Sequence, residues 1–215
     1  GLSIDDREDY KNKLVEVCGN VESFINFTES LKEFPSIRFG LEMALLDYKQ
    51  GGRKKLFPSS FTDGKDSISI NGLVWMGSFE SMLKQVREKI KTGFTCIKLK
   101  IGAIDFEDEL KLIRSIRKEF SSSQIEIRVD ANGAFKPEEA LEKLKRLSEF
   151  QLHSIEQPIK QNQWEAMAEL CVSSPVPIVL DEELIGIKDL YNERKMLEEI
   201  KPQYIIIKPS LLGGF

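Results

Sequence analysis

Residues 94–101 read Phe94-Thr95-Cys96-Ile97-Lys98-Leu99-Lys100-Ile101, and residues 125–130 read Ile125-Glu126-Ile127-Arg128-Val129-Asp130. Both stretches alternate, and alternation with a period of two marks a strand that has one apolar and one polar face. In the first, Ile97, Leu99 and Ile101 share one face while Cys96, Lys98 and Lys100 share the other. In the second, Ile125, Ile127 and Val129 oppose Glu126, Arg128 and Asp130. The branched apolar faces suit packing against helices, so the charge is left pointing inward. A barrel interior that served packing alone would favour branched apolar side chains there.

Working outward, further strand-like runs cover 67–76, 152–156, 177–181 and 204–208. Amphipathic stretches fall between the six runs, at 79–92, 105–120, 137–149, 164–173 and 187–199. Strands alternating with helices at this interval predict repeated βαβ units and a parallel sheet. Residues 67–215 then hold about six of the eight units of a (β/α)8 barrel. A doubly wound open sheet is the rival fold, but a glycine-rich turn after the first strand, its usual phosphate-binding mark, is absent. Residues 1–50 read as helices, with Ser3 to Asp6 as a cap for the first and Ile37, Leu41, Ala44 and Leu45 at helical spacing. Residues 51–66, with Gly51-Gly52, Pro58-Ser59-Ser60 and Asp63-Gly64, form a linker by composition. The chain begins without methionine and stops soon after a strand-like run, so both ends are expected to be cut from something longer.

Composition narrows the function classes. With 41% hydrophobic and 31% charged residues, the 215-residue chain is expected to be soluble, globular and cytoplasmic. A net charge of -4 provides no basic footprint for nucleic acid, and no apolar run is long enough to span a membrane. Cys18, Cys96 and Cys171 are far apart, which suits reduced thiols acting as small buried hydrophobes. His153, at the start of its strand, reads as structural, the acidic run Asp105 to Glu109 as a response to the helix dipole, and Arg53-Lys54-Lys55 as solvated surface.

Lys100, Asp130, Glu156, Asp181 and Lys208 stand near the ends of five successive strand-like runs, at gaps of 30, 26, 25 and 27 residues. Neighbouring strands lie about 4.8 Å apart, and barrel active sites gather at the carboxyl ends of strands. Five such residues therefore converge on one mouth. Three carboxylates on adjacent strands suit a hard divalent cation, Mg2+ with Mn2+ as a substitute, whereas one histidine and no clustered cysteine argue against zinc. Lysines beside a bound cation are pushed toward the neutral, basic form, although carboxylates oppose that.

The segments Lys98-Leu99-Lys100, Val129-Asp130-Ala131-Asn132-Gly133-Ala134-Phe135, Ile155-Glu156-Gln157-Pro158, Leu180-Asp181-Glu182 and Ile207-Lys208-Pro209 with Gly213-Gly214 resemble the enolase superfamily, specifically its muconate-lactonizing subgroup. Arg38-Phe39-Gly40-Leu41-Glu42-Met43-Ala44 is similar to the closing helix of that family's capping domain. The resemblance implies that residues 1–50 are part of a capping domain and that Asp130, Glu156 and Asp181 bind Mg2+. It further implies Lys100 as acid/base with Lys208 facing it, Lys98 tuning Lys100, and Asn132 and Glu182 supporting them. Lys98 has a plainer alternative, an interior ion pair with Glu126 or a neighbour. Gly213, Gly214 and Trp75 are candidates near substrate, and Trp75 reads equally well as a core residue. The implied chemistry is abstraction of a proton alpha to a carboxylate through a cation-stabilised enediolate. Within the subgroup it points to dehydration of a hydroxy-cyclohexadiene carboxylate, in menaquinone biosynthesis. Dipeptide epimerisation or N-acylamino acid racemisation is the alternative, and a non-catalytic truncated scaffold is the alternative of another class. A small-molecule carboxylate is the expected partner, and a homo-oligomer is left open.

Overall fold

A computed structural model describes residues 4–25, 28–187 and 190–215, with the side chains of residues 28 and 190 outside the description. The chain divides into two compact units, one comprising residues 1–68, 184–193 and 207–215, the other 69–183 and 194–206.

The first unit opens with α1 (Tyr10–Gly19), α2 (Val21–Ile25), a 3-10 turn (Thr28–Leu31) and α3 (Pro35–Lys49). Its core is Val17, Phe24, Leu31, Phe34, Ile37 and Leu41, with Tyr10 and Leu45 packed against it. Ala44, expected on the buried stripe, is exposed. The start of α3 presents Phe34 and Pro35, neither of which offers a side-chain acceptor to the orphan N–H groups of a first helical turn. Asp5 fills that need from far away in sequence: its Oδ2 accepts the Ser36 N–H at 2.8 Å. The segment expected to cap α1 thus includes a cap for α3, α1 begins at Tyr10 with no side-chain capping bond, and Ser3 lies outside the described residues.

From residue 72 the chain alternates strand and helix as the pattern predicts: β1 (Gly72–Val74), α4 (Phe79–Lys91), β2 (Cys96–Lys100), α5 (Phe106–Glu119), β3 (Glu126–Asp130), α6 (Pro137–Ser148), β4 (Ser154–Glu156), α7 (Trp164–Ser173), β5 (Ile178–Leu180), α8 (Leu190–Ile200) and β6 (Tyr204–Ile205). Residues 188–189, which belong to the predicted 187–199 helix, lie outside the description, and α8 starts beyond them. The strands form one six-stranded sheet in chain order, every pair parallel. Helix starts are locally encoded. Ser78 Oγ accepts the Ser81 N–H before α4, Asp105 Oδ1 accepts the Glu107 N–H before α5, and Glu139 Oε1 accepts the Lys136 N–H before α6. Ile97, Leu99, Ile127 and Val129 are buried as parity requires, each contributing about 1.5–3 kcal/mol by leaving water. Among the described residues no helix is long and apolar enough to cross a membrane.

Three departures have physical causes. The run expected over 67–76 forms a strand only at Gly72–Val74, where Ile97–Leu99 of its single partner β2 stand opposite. Ile68 and Ile70 before it are exposed. The last run stops at Ile205, opposite Leu180 at the end of the short β5. Pro209, which has no N–H for a ladder, instead opens α9 (Pro209–Leu212). Glu109 is not a surface partner of the helix dipole: it is buried, and its Oε1 accepts the Gly102 N–H at 2.5 Å. Cys18 is exposed and Cys96 half-buried, so only Cys171 matches the expectation of a buried thiol.

The loop after β2 is locked to the loop after β3. Gly102 has φ +92°, and a Cβ there would lie 2.3 Å from the Ala134 Cβ. Gly102→Ala therefore meets both backbone strain and overlap and is expected to lower unfolding free energy by roughly 1–3 kcal/mol in urea denaturation. Adding Ala134→Gly should recover only part, since the positive φ persists. A Gly102→Ala chain as stable as the parent would refute this account.

Candidate active site

Parallel pairing sets the site. Lys100 is the register partner of Asp130, and Asp130 of Glu156, so three charged groups line up across β2, β3 and β4. Glu156 is opposite Val179, which places Asp181 two residues further along, on the same face by strand parity but just past β5. The strand-like runs alone mark these as equivalent strand ends, whereas the register staggers Asp181.

The Lys98 ammonium bridges Asp130 Oδ2 at 2.9 Å and Glu156 Oε2 at 2.5 Å. Lys100 Nζ donates to the same Asp130 oxygen at 2.6 Å and to Asn132 Oδ1 at 2.8 Å. Asn132 also donates its own N–H to Asp130 Oδ1 at 3.1 Å and its Nδ2 to Glu182 Oε1 at 2.8 Å. Glu126 is not the partner of Lys98; it takes Arg128 Nε at 2.7 Å and the Cys96 thiol at 3.3 Å. Asp130, Glu156, Asp181, Glu182 and Glu183 are all buried. An inward cavity of about 270 Å3 touches this cluster, lined among others by Lys98, Arg128, His153, Glu156 and Tyr204. A hollow of about 340 Å3 on the outer side of α4 holds only that helix's own side chains and no comparable chemistry.

Charge is unevenly compensated in this cluster. Burial pushes Glu156 up to about 7, the Asp130 charge adds to that, and Lys98 opposes it. For Asp130 burial acts in the same upward direction, but the hydrogen bonds from Lys100 and Lys98 outweigh it and hold the carboxyl below its ordinary value. Lys98 is raised: burial works against its charge, and its bonds to Asp130 and Glu156 win. Burial, then Glu126, pushes the Cys96 thiol up to about 11, which removes it as a nucleophile.

The donors are hard carboxylate oxygens, one of which, Glu182 Oε2, is buried without a hydrogen-bond partner among the described residues. By donor chemistry, and by the burial of neighbouring carboxylates, the cluster fits a divalent cation. As the side chains stand, no three carboxylate, imidazole or thiol groups among the described residues gather into a ready ligand set, because Asp130 and Glu156 are drawn onto lysine. Lys208, Gly213 and Gly214 belong to the first unit. There Gly213 (φ +93°) closes α9 against Pro35, and Glu42 crowds the space beside Gly214 and accepts the Phe215 N–H at 2.9 Å. Trp75 is 63% exposed, not core, and its backbone is clamped by Gln85, whose Oε1 accepts the Trp75 N–H at 3.0 Å and whose Nε2 donates to Trp75 O at 3.2 Å. His153 Nδ1 stands 2.9 Å from Ser154 Oγ, and its ring stacks on Tyr204.

Gln157, Glu183 and Gln85 were not singled out from sequence. Only Gln157 had a signal, a polar residue in an otherwise buried strand end. The raised Glu156 yields a pH prediction for the cation-free chain. The folded state holds this proton more tightly than the unfolded state, so the associated stability is full below about 4.5 and is lost as pH rises through about 7. The urea midpoint in EDTA is expected to fall across that window and to flatten in Glu156→Gln; a midpoint that climbs instead would contradict the assignment.

The chain is similar to known proteins in sequence and in fold. A family model described as "Enolase C-terminal domain-like" matches residues 81–215. The o-succinylbenzoate synthase of Desulfotalea psychrophila is 54% identical over 210 residues, which cover 98% of this chain and 56% of that protein. The crystal structure of MenC from Desulfotalea psychrophila LSv54 is similar with a TM-score of 0.80 and 52% identity, over 98% of this chain and 57% of that one. A dipeptide epimerase from Cytophaga hutchinsonii, solved with Mg and the dipeptide D-Ala-L-Val, has a TM-score of 0.70 and 25% identity, over 84% of this chain and 48% of that one. The chain thus spans about half the length of the relatives it matches. With the match running from α4 through all five charged positions, the chain belongs to the enolase C-terminal domain-like family.

Proposed function

We propose that this chain carries the proton-abstracting, cation-binding part of a carbon-oxygen lyase that dehydrates a hydroxy-cyclohexadiene carboxylate to o-succinylbenzoate, a cytoplasmic step toward menaquinone. The observation that carries the reading is the 54% identity to o-succinylbenzoate synthase over 98% of the chain. The dipeptide epimerase likeness, at 25% identity, carries less. Asp130, Glu156 and Asp181 would hold the ion, Mg2+ as in the epimerase structure or Mn2+ with the same oxygen preference. Such an ion stabilises negative charge that develops on a substrate carboxylate as the neighbouring proton leaves.

The chain's own residues supply the proton chemistry. Lys100 Nζ takes the alpha proton, and the ammonium so formed is held by Asp130 Oδ2 at 2.6 Å and Asn132 Oδ1 at 2.8 Å. Glu182, bonded to Asn132 Nδ2, keeps that amide oxygen turned toward the lysine. Lys100 then returns the proton to the departing hydroxyl, so water leaves and the proton count balances. Lys98 stays charged between Asp130 and Glu156 and limits their mutual repulsion. Lys208 is assigned an electrostatic role, and Trp75 a place beside substrate. The retained buried charges argue against a drifting scaffold, for which they would only be a cost.

Two measurements test this. In the full-length protein, Lys100→Ala is expected to lower turnover by about 10²–10⁴-fold with Mg2+ present; normal turnover would sink the lyase reading. Mg2+ titration is expected to raise the melting temperature of the parent and to lose most of that shift in Asp130→Asn. Equal shifts in the two proteins would remove Asp130 from the ion site.

A further inference from the structure

Gln157 follows Glu156 directly and is wholly buried, at 0% exposure, with φ +41°. A non-glycine residue in this left-handed region persists only where its surroundings over-determine it. Here they do. Its N–H donates to Val179 O at 2.9 Å, and its carbonyl accepts the Gly133 N–H at 2.7 Å. The side-chain Oε1 accepts the N–H groups of Asp181 and Glu183, both at 3.2 Å. Its Nε2 donates to Ile159 O at 3.0 Å and to Glu183 Oε2 at 3.2 Å, while Glu183 Oε1 accepts the Asn162 N–H at 2.8 Å.

One residue is thus bonded to the segments that follow β3, β4 and β5. Each of those bonds lies within three residues of Asp130, Glu156 or Asp181. The bond to the Asp181 N–H has particular weight, because it reaches the backbone of that acid directly, just past the end of β5. We propose that Gln157 is a positioning residue for the cation site: it sets the separation of the three carboxylates, so ion affinity depends on a side chain that never touches the ion. This rests on the reading that those carboxylates bind Mg2+. Glu183 is the second half of the device, since it holds the Gln157 amide in the orientation that offers Oε1 to Asp181.

The test is Mg2+ calorimetry on the purified protein, with urea denaturation in EDTA alongside. Gln157→Met removes both acceptor and donor and is expected to weaken Mg2+ binding at least tenfold while the folded spectrum is retained. The swap pair Q157E/E183Q restores the bond between the two positions with donor and acceptor exchanged, but not the bond to Ile159 O, and is expected to bind Mg2+ more tightly than Gln157→Met. A role confined to stability would move the urea midpoint and leave the Mg2+ affinity unchanged, and that result in Gln157→Met overturns the proposal. If Gln157→Met fails to fold, Gln157→Glu alone, which sets a carboxylate against Glu183, should bind at least tenfold more weakly than the swap pair; equal affinities overturn the proposal. A parent that binds no Mg2+ fails differently, since it removes the ion site itself.

Discussion

Two buried carboxylates side by side are unfavourable unless a cation lies between them, and Lys98 meets that requirement for Asp130 and Glu156. Much else in the second unit follows. For Lys98 to reach both acids, it must share their face, which strand parity provides, and it must stand on the strand next to Asp130, which the parallel order β2-β3-β4 provides. Lys100, two residues on, then falls on the same face and in register with Asp130. The apolar alternate residues, buried beneath the helices, hold this register: a slip by one residue would exchange Ile97 and Leu99 with the lysines and bury charge against α4 and α5.

The number of strands and the inward faces of β2 and β3 were legible because each rests on a local pattern. Lys98-Leu99-Lys100 and Arg128-Val129-Asp130 carry parity in themselves. The helix boundaries were nearly so, since Ser78, Asp105 and Pro137 act on their own neighbours. What could not be read depends on partners distant in sequence. The stagger of Asp181 comes from register between strands, Asp5 acts on a helix that begins thirty positions later, and Glu109 turns inward because the loop after β2 offers it backbone N–H groups. Trp75 was ambiguous for the same reason: an isolated aromatic says nothing of whether Gln85 will fix its backbone at the surface.

The site's proton chemistry and its cation chemistry pass through shared atoms. Asp130 Oδ2 accepts from both Lys98 and Lys100, and Asn132 links Lys100 to Glu182. A change at any of these is felt by both functions, so single substitutions in this cluster will not separate them cleanly.

Asn132 and Gln157 each hold a left-handed backbone, at φ +44° and +41°, one two residues beyond Asp130 and the other directly after Glu156. Glycine would adopt these conformations with less strain, so a search for stabilising substitutions would be drawn to these two positions. Both side chains, however, are engaged with the acids and lysine of the cluster. The mouth of the sheet is therefore a place where thermal robustness and activity pull in opposite directions. A lineage selected for heat tolerance has to find its gains elsewhere, in α4 to α7 or in the exposed loop before β1.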